Sequence, residues 1–279
     1  YYLEPADPRY TGELMRGPID PGGFLCNRPW AANYKVIQNC LLLAGSGDDG
    51  ASGVGKTFHA YALMRILSLT AENGARLNYD GNINVAVSSE AEVWDAIENL
   101  LDEGNTNLAS AGSAFSFTLS SGFDGFNTPA TFSQFNRALR ARVAVHQSDW
   151  ATADAALANS FLDESGDLND GVYHVFSSGA NDQGNEMYEA ADADFVKLVV
   201  HPSYEADADS LESRFSSKVV NTGDNSTYDG LTSSLMPTIW EGSYDPIPII
   251  RNEELILLLA EVDIAGGTTG GLAEINIVR

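Results

Sequence analysis

The alanine-studded stretch Phe132–Phe161 constrains the fold more than any other part of the chain. Phe132, Phe135, Leu139 and Val143 recur at helical spacing, and a second helical run opens at Trp150. Asp149 is placed to N-cap that second run, which leaves almost no residues for a connection after His146. Helices joined so tightly must lie side by side and antiparallel. Alanines at 138, 141, 144, 153, 155, 156 and 158 let them approach closely, and Trp150 is expected to anchor the pair. This is tetratricopeptide-like grammar, without a strict repeat period along the chain.

Other segments carry the same signal. Trp30, Tyr34, Ile37, Leu41 and Ala44 form one apolar helical face. Thr57–Leu69 forms another through Phe58, Ala62, Ile66 and Leu69, with Asn73-Gly74 as its stop. Ser89 with Glu92 is a capping box ahead of Val93, Trp94, Ile97, Leu100 and Leu101, and Thr131 with Gln134 repeats that signature. Asn252–Ala265, Gly266-Gly267 and Leu272–Arg279 read as a last hairpin. The sequence therefore predicts a mainly α, single domain over residues 1–279, with helical hairpins at about 30–72, 89–161 and 252–279. Residues 162–243 are rich in Gly, Asn, Asp and Ser, broken by short apolar bursts such as Phe195–Val200, and read as an irregular, loop-rich insertion. Gly104–Ala130, rich in Ser, Gly and Phe, is a smaller case. Loops of such length in compact folds usually carry function.

Fifteen Lys and Arg against 39 Asp and Glu give a formal charge of −24. A surface this acidic repels phosphate backbones, anionic headgroups and acidic polysaccharides, so nucleic acid is excluded as a partner and direct lipid binding disfavoured. The longest apolar run, Leu255–Ala260, is far too short to span a bilayer. Tyr1-Tyr2-Leu3 lacks an initiator Met and Arg279 falls inside a helical pattern, so both natural ends are expected to lie outside this sequence. Cys26 and Cys40 are too few for a disulfide scaffold. Cys40 lies in a helical apolar pattern, which points to a buried free thiol, with a Cys26–Cys40 disulfide as the alternative.

One motif matches a phosphate-binding pattern letter for letter: Gly50-Ala51-Ser52-Gly53-Val54-Gly55-Lys56-Thr57. A nucleotide-binding P-loop follows a buried strand, yet the preceding Trp30–Ala44 is helical and Asp48-Asp49 would face the phosphates. The segment instead reads as a Gly-rich loop between two helices, with Thr57 near a helix start. His59, His146, His174 and His201 share no metal-ligand spacing, and no nucleophile elbow or zinc-protease motif occurs. The acidic runs Asp163–Asp170, Glu189–Asp194 and Glu205–Asp209 miss the calcium-loop spacing. No catalytic residue, metal or cofactor is expected.

Aromatic residues are more informative. Tyr173, Tyr188, Tyr204, Tyr228, Trp240 and Tyr244 lie in or beside the loop-rich region, among Asp and Asn groups able to hydrogen-bond hydroxyls. Aromatic rings stack on the apolar faces of sugars. Trp240, Tyr244, Tyr204 and Tyr228 are the candidate ligand-binding residues.

Near the C-terminus, Pro246-Ile247-Pro248-Ile249-Ile250-Arg251-Asn252-Glu253-Glu254 followed by Leu255–Ala260 and Glu261 resembles the late helix of the RagB/SusD family. Ile275-Asn276-Ile277-Val278-Arg279 resembles that family's Ile-Asn-x-Val-Arg helix. Phe135–Ala144 with Asp149-Trp150 is similar to its central tetratricopeptide pair, and Trp30–Leu43 and Gly55–Met64 to its earlier helices. The resemblance implies a non-catalytic outer-membrane lipoprotein, facing the cell exterior, that captures neutral oligosaccharide or peptide. It also implies a SusC-like TonB-dependent transporter as partner, and membrane attachment only through an N-terminal lipid anchor. The alternatives are a structural surface scaffold built on helical hairpins, or an enzyme that is either a P-loop nucleotide binder or a hydrolase using the acidic loops.

Overall fold

The computed structural model describes residues 2–3, 5, 12–13, 18–20, 22–209 and 213–279. The elements run α1 (Phe24–Ala44), α2 (Asp49–Thr70), α3 (Glu90–Ser110), α4 (Pro129–His146), α5 (Trp150–Leu157), β1 (Gly171–His174), α6 (Ser203–Asp207), α7 (Ser213–Lys218), β2 (Val219–Tyr228), β3 (Leu231–Pro237), β4 (Ile247–Arg251), α8 (Asn252–Ala265) and α9 (Gly271–Val278). Contacts group the chain into two compact units, one of Cys26–Tyr173 with Pro248–Arg279, the other of Tyr1–Leu25 with His174–Ile247.

The first unit is helical. Its α3 starts as expected: Ser89 Oγ accepts from the Glu92 N–H at 3.4 Å, and Glu92 Oε2 accepts from the Ser89 N–H at 2.8 Å. The cap of α4 is three residues earlier than the sequence predicts. Thr128 caps it with Thr131 as reciprocal partner and Pro129 in the first turn, so the Thr131–Gln134 signature is spurious. Asp149 caps α5 through the Thr152 N–H at 3.2 Å, and Ser148, at φ 59°, makes the sharp turn. Helix α5 stops at Leu157 rather than Phe161, because Asn159 Nδ2 and Ser160 Oγ donate to the carbonyls of Ala155 and Leu157. Trp150 is partly exposed; the buried face of α5 is Ala153, Ala156 and Leu157, so the anchor is aliphatic, not the indole.

The phosphate-loop motif is not a loop. It forms the first two turns of α2, with Gly50–Gly55 buried. A Cβ on Gly53 would stand 2.6 Å from Leu108 Cγ and 3.0 Å from the Gly104 carbonyl oxygen; one on Gly55 would stand 2.8 Å from the Cys40 carbonyl oxygen. These glycines let α2 lie directly on α3 and α1. The site is locked by a buried polar network. Thr57 Oγ1 donates to the Gly53 carbonyl at 2.8 Å, and Asn136 Nδ2 donates to Thr57 Oγ1 at 2.7 Å and to the Leu101 carbonyl at 3.1 Å.

Gly104–Ala130, expected as a second irregular functional segment, begins as the end of α3 and continues as a plug for the core. Phe123 stacks on Phe132 at 5.9 Å, Phe115 meets Phe132 edge-on at 5.9 Å, and Phe126 meets Phe161 at 4.8 Å. Cys26 and Cys40 are both free thiols; burial pushes Cys40 up to about 11. Arg142 joins α4 to α8, donating Nε and Nη2 to the Glu254 carboxylate at 2.5 and 2.8 Å. Asn252 ties the start of α8 to the segment before β1, through its N–H to the Asp170 carbonyl and its side chain to Asp163.

The second unit is less irregular than its composition predicts. Val219–Tyr228 and Leu231–Pro237 form an antiparallel hairpin, with Tyr228 opposite Leu231. Asp229 and Gly230, at φ 56° and 84°, are its two-residue turn. Leu3, Val196, Val199 and Met236 form a small core, and the Glu189 carboxylate accepts from the N–H groups of Lys197 and Leu198.

Two outcomes follow. In an ordinary helix interior, Gly→Ala stabilises by about 1 kcal/mol. Gly53→Ala is expected to do the reverse, costing about 1–3 kcal/mol through overpacking, read as a lower denaturation midpoint; a raised midpoint would refute the close approach. The second concerns His59, 6% exposed, whose Nε2 lies 2.9 Å from the Tyr79 hydroxyl. Burial holds its imidazole down at about 4, against an ordinary 6.5. The unfolded chain takes up the proton first as pH falls, so this contribution is complete above the ordinary value and is lost on acidification towards the folded one. Between pH ~6.5 and ~5 the loss should reach about 2 kcal/mol in urea titrations, and shrink in His59→Gln. Equal pH dependence in the two proteins would contradict it.

Candidate functional site

The helical reading of residues 50–57 removes one candidate. The Ser52 N–H bonds to the Asp48 carbonyl at 2.8 Å as part of the helix, and Lys56 Nζ pairs with Glu103 at 2.8 Å. The anion position at the start of α2 is taken by the chain itself. Asp48 Oδ1 accepts from the Ala51 N–H at 2.8 Å and Oδ2 from the Ser116 hydroxyl at 2.7 Å, which together hold this carboxyl below the usual carboxylate range. A triphosphate has no backbone cradle here.

The four aromatic candidates all lie in the second unit, in different settings. Tyr228 ends β2 and is half-buried against the Met236 cluster, so packing occupies it. Tyr204 sits on the short helix α6 and is 66% exposed. Trp240 and Tyr244 stand at the two ends of one tight turn, the first partly and the second 51% exposed. Among the described residues, none of these four rings stacks on another aromatic ring. Trp240 and Tyr244 are brought together along the chain; Tyr204 and Tyr228 are not part of that turn.

The turn is held by two residues that the sequence reading did not single out. Asp245 Oδ2 accepts from the Glu241 and Gly242 N–H groups at 2.5 and 2.9 Å. Asn185, 3% exposed, donates its N–H to the Ser243 carbonyl at 2.7 Å and its Nδ2 to the Asp245 carbonyl at 2.9 Å. The backbone of residues 241–245 is thus fixed by five hydrogen bonds, two of them donated by buried Asn185 and one closing the turn from the Asp245 N–H to the Gly242 carbonyl at 3.1 Å. Its only sequence signal was the Gly242-Ser243-Tyr244-Asp245-Pro246 turn composition; Asn185 lies far away in sequence and gave none. Such a turn carries an exposed and a partly exposed ring beside carboxylate and amide groups, suited to stacking and hydrogen bonding rather than bond breaking. Among the described residues, no three His, Cys, Asp or Glu side chains gather as a metal site, and no helix is long and apolar enough to cross a membrane.

No family model and no curated protein sequence matches the chain. Solved structures do. A SusD/RagB family protein from Bacteroides thetaiotaomicron superposes at TM-score 0.66 over 96% of this chain, at 15% identity. The fold is that of the SusD/RagB proteins. A laminarin-binding SusD-like protein matches at TM-score 0.59 over 90% of the chain, at 17% identity, and a SusD-like carbohydrate-binding protein from Bacteroides vulgatus at TM-score 0.61 over 91%, at 13% identity. The chain spans 61%, 69% and 61% of those three structures, respectively. Within the SusD-like fold, the Arg251–Glu261 segment is the end of β4 with most of α8, Ile275–Val278 lies in α9, and Phe135–Ala144 is α4. The segments that carry the sequence resemblance are therefore helical in this fold.

Proposed function

We propose that this protein captures neutral glycans without chemistry and passes them to a transporter, with peptides as the second ligand class. The observation that carries the reading is the buttressed Trp240–Tyr244 turn. Its backbone is fixed by Asp245 and Asn185, while Tyr244 is exposed and Trp240 partly so. Rings carried on a fixed backbone bind at lower entropic cost, because the turn itself need not be ordered on binding. The charge of −24 disfavours anionic sugars and favours neutral ones. Likeness of fold to proteins described as laminarin-binding and carbohydrate-binding supports the same direction. On this reading residues 1–279 act as one SusD-like domain at the outer face of an outer membrane. The chain is held there by an N-terminal lipid and partnered by a SusC-like TonB-dependent transporter. Tyr204, the most exposed of the candidate rings, serves as an outlying contact, and Tyr228 contributes through packing.

Trp240→Ala and Tyr244→Ala are each expected to weaken neutral-glycan binding several-fold, with helical circular dichroism unchanged, since a stacked ring contributes about 0.5–1.5 kcal/mol beyond area burial. Glycan-array screening followed by calorimetry provides the measurement. An array without a neutral hit, or unchanged affinity in the double variant, would refute the assignment.

A further inference from the structure

Two tight turns of the second unit are joined by Asn185. The first runs Gly242-Ser243-Tyr244-Asp245, closed by the Asp245 N–H on the Gly242 carbonyl at 3.1 Å. The second runs Asn185-Glu186-Met187-Tyr188, closed by the Tyr188 N–H on the Asn185 carbonyl at 3.1 Å. Asparagine suits the first position of such a turn, because its side-chain oxygen can accept from the backbone two residues on. Here Asn185 Oδ1 takes the Met187 N–H at 2.9 Å. The same residue also reaches across. Its N–H and its Nδ2 bond to the carbonyls of Ser243 and Asp245, which bracket Tyr244. Met187, two residues along, has its Cα no more than about 7 Å from that of Asn185.

Glu189 fastens the far side of the second turn, its carboxylate accepting from the N–H groups of Lys197 and Leu198. Between these fixed points Glu186 and Met187 face solvent, Met187 at 45%. Tyr244, at 51%, holds the matching third position of its own turn. Turn corners are ordinarily given to Gly, Asn, Asp or Ser. Here both third positions carry large apolar side chains, on pinned backbones, that leave much of their surface outside the packing. Residues 185–188 and 240–245 contain no Lys or Arg, so nothing in the two turns attracts an anion. The Met side chain is unbranched and adaptable, able to follow the C–H face of a sugar ring.

We propose that Met187 is a second ligand contact, covering the sugar next to the one stacked on Tyr244, and that Asn185 is the positioning residue that fixes the distance between them. This rests on the glycan-capture reading and extends it from one turn to two. Isotopic methyl labelling of the four methionines gives a Met187 signal, assigned by its loss in Met187→Leu, while ring-labelled tyrosine reports on Tyr244. The probes are maltohexaose, laminarihexaose and mannohexaose, added to the full chain. At least one should move both signals with a single affinity, leaving the buried Met64 and Met236 methyls still. Met187→Ala should weaken that sugar by about fourfold, the scale of one methylene taken out of water, with helical circular dichroism unchanged. Asn185→Asp keeps the bond to the Met187 N–H and cuts the one to the Asp245 carbonyl. The Met187 and Tyr244 titrations should then separate into two affinities, which lost stability alone does not produce; one shared affinity removes the positioning role. Should Asn185→Asp fail to fold, Met187→Ala carries the test. A Met187 methyl that stays still while Tyr244 responds and Trp240→Ala weakens binding removes the second contact alone. A sugar that moves Met187 but not Tyr244 also overturns the proposal, because the contact is then not shared. If no probe moves either signal, glycan capture by the turn falls, and the second contact with it.

Discussion

At Gly53 the backbone of α2 lies against Leu108 and the Gly104 carbonyl with no room for a side-chain carbon, and at Gly55 it lies against α1 in the same way. Much of the helical unit depends on this contact. It brings Thr57 within reach of Asn136, whose amide joins α2, α3 and α4 in one buried network. The position of α4 then sets that of Arg142, which grips Glu254 and the Ile249 carbonyl and so seats α8. Thr57 and Asn136 are paired where they are buried, which makes this network a source of specificity rather than a cost. A glycine-rich segment that imitates a phosphate loop is therefore a packing device.

Legibility in the sequence followed the range of the forces involved. The capping box at Ser89, the Asp149 cap and the hairpin of α8 and α9 were readable because their partners lie within one helical turn or across a short connection. The Walker-like motif was misread as a loop because glycine is a local helix breaker, and the gain that overrides this comes from α1 and α3, distant in sequence. Trp150 was overrated for a related reason. Helical spacing marks a face as apolar but does not say which residue of the face reaches the neighbouring helix.

The loop-rich region shows the opposite error. Its Asp229-Gly230 turn, between Tyr228 and Leu231, is a strong hairpin signal that the prevailing polar composition concealed. The aromatic rings were visible as composition, and their separation into Tyr228, packed, Trp240, partly exposed, and Tyr244, displayed, was not. That distinction rests on the Met236 cluster and on Asn185, both supplied by remote parts of the chain.

The central claim is that residues 50–57 are a buried helix whose amides are committed to the fold. Residue-resolved hydrogen exchange of the Ser52–Thr57 amides, with and without magnesium ATP, tests it most directly. The account predicts exchange as slow as the best-protected core helices and no change on adding nucleotide. Rapid exchange across this segment, or a slowing confined to it when nucleotide is present, would contradict it.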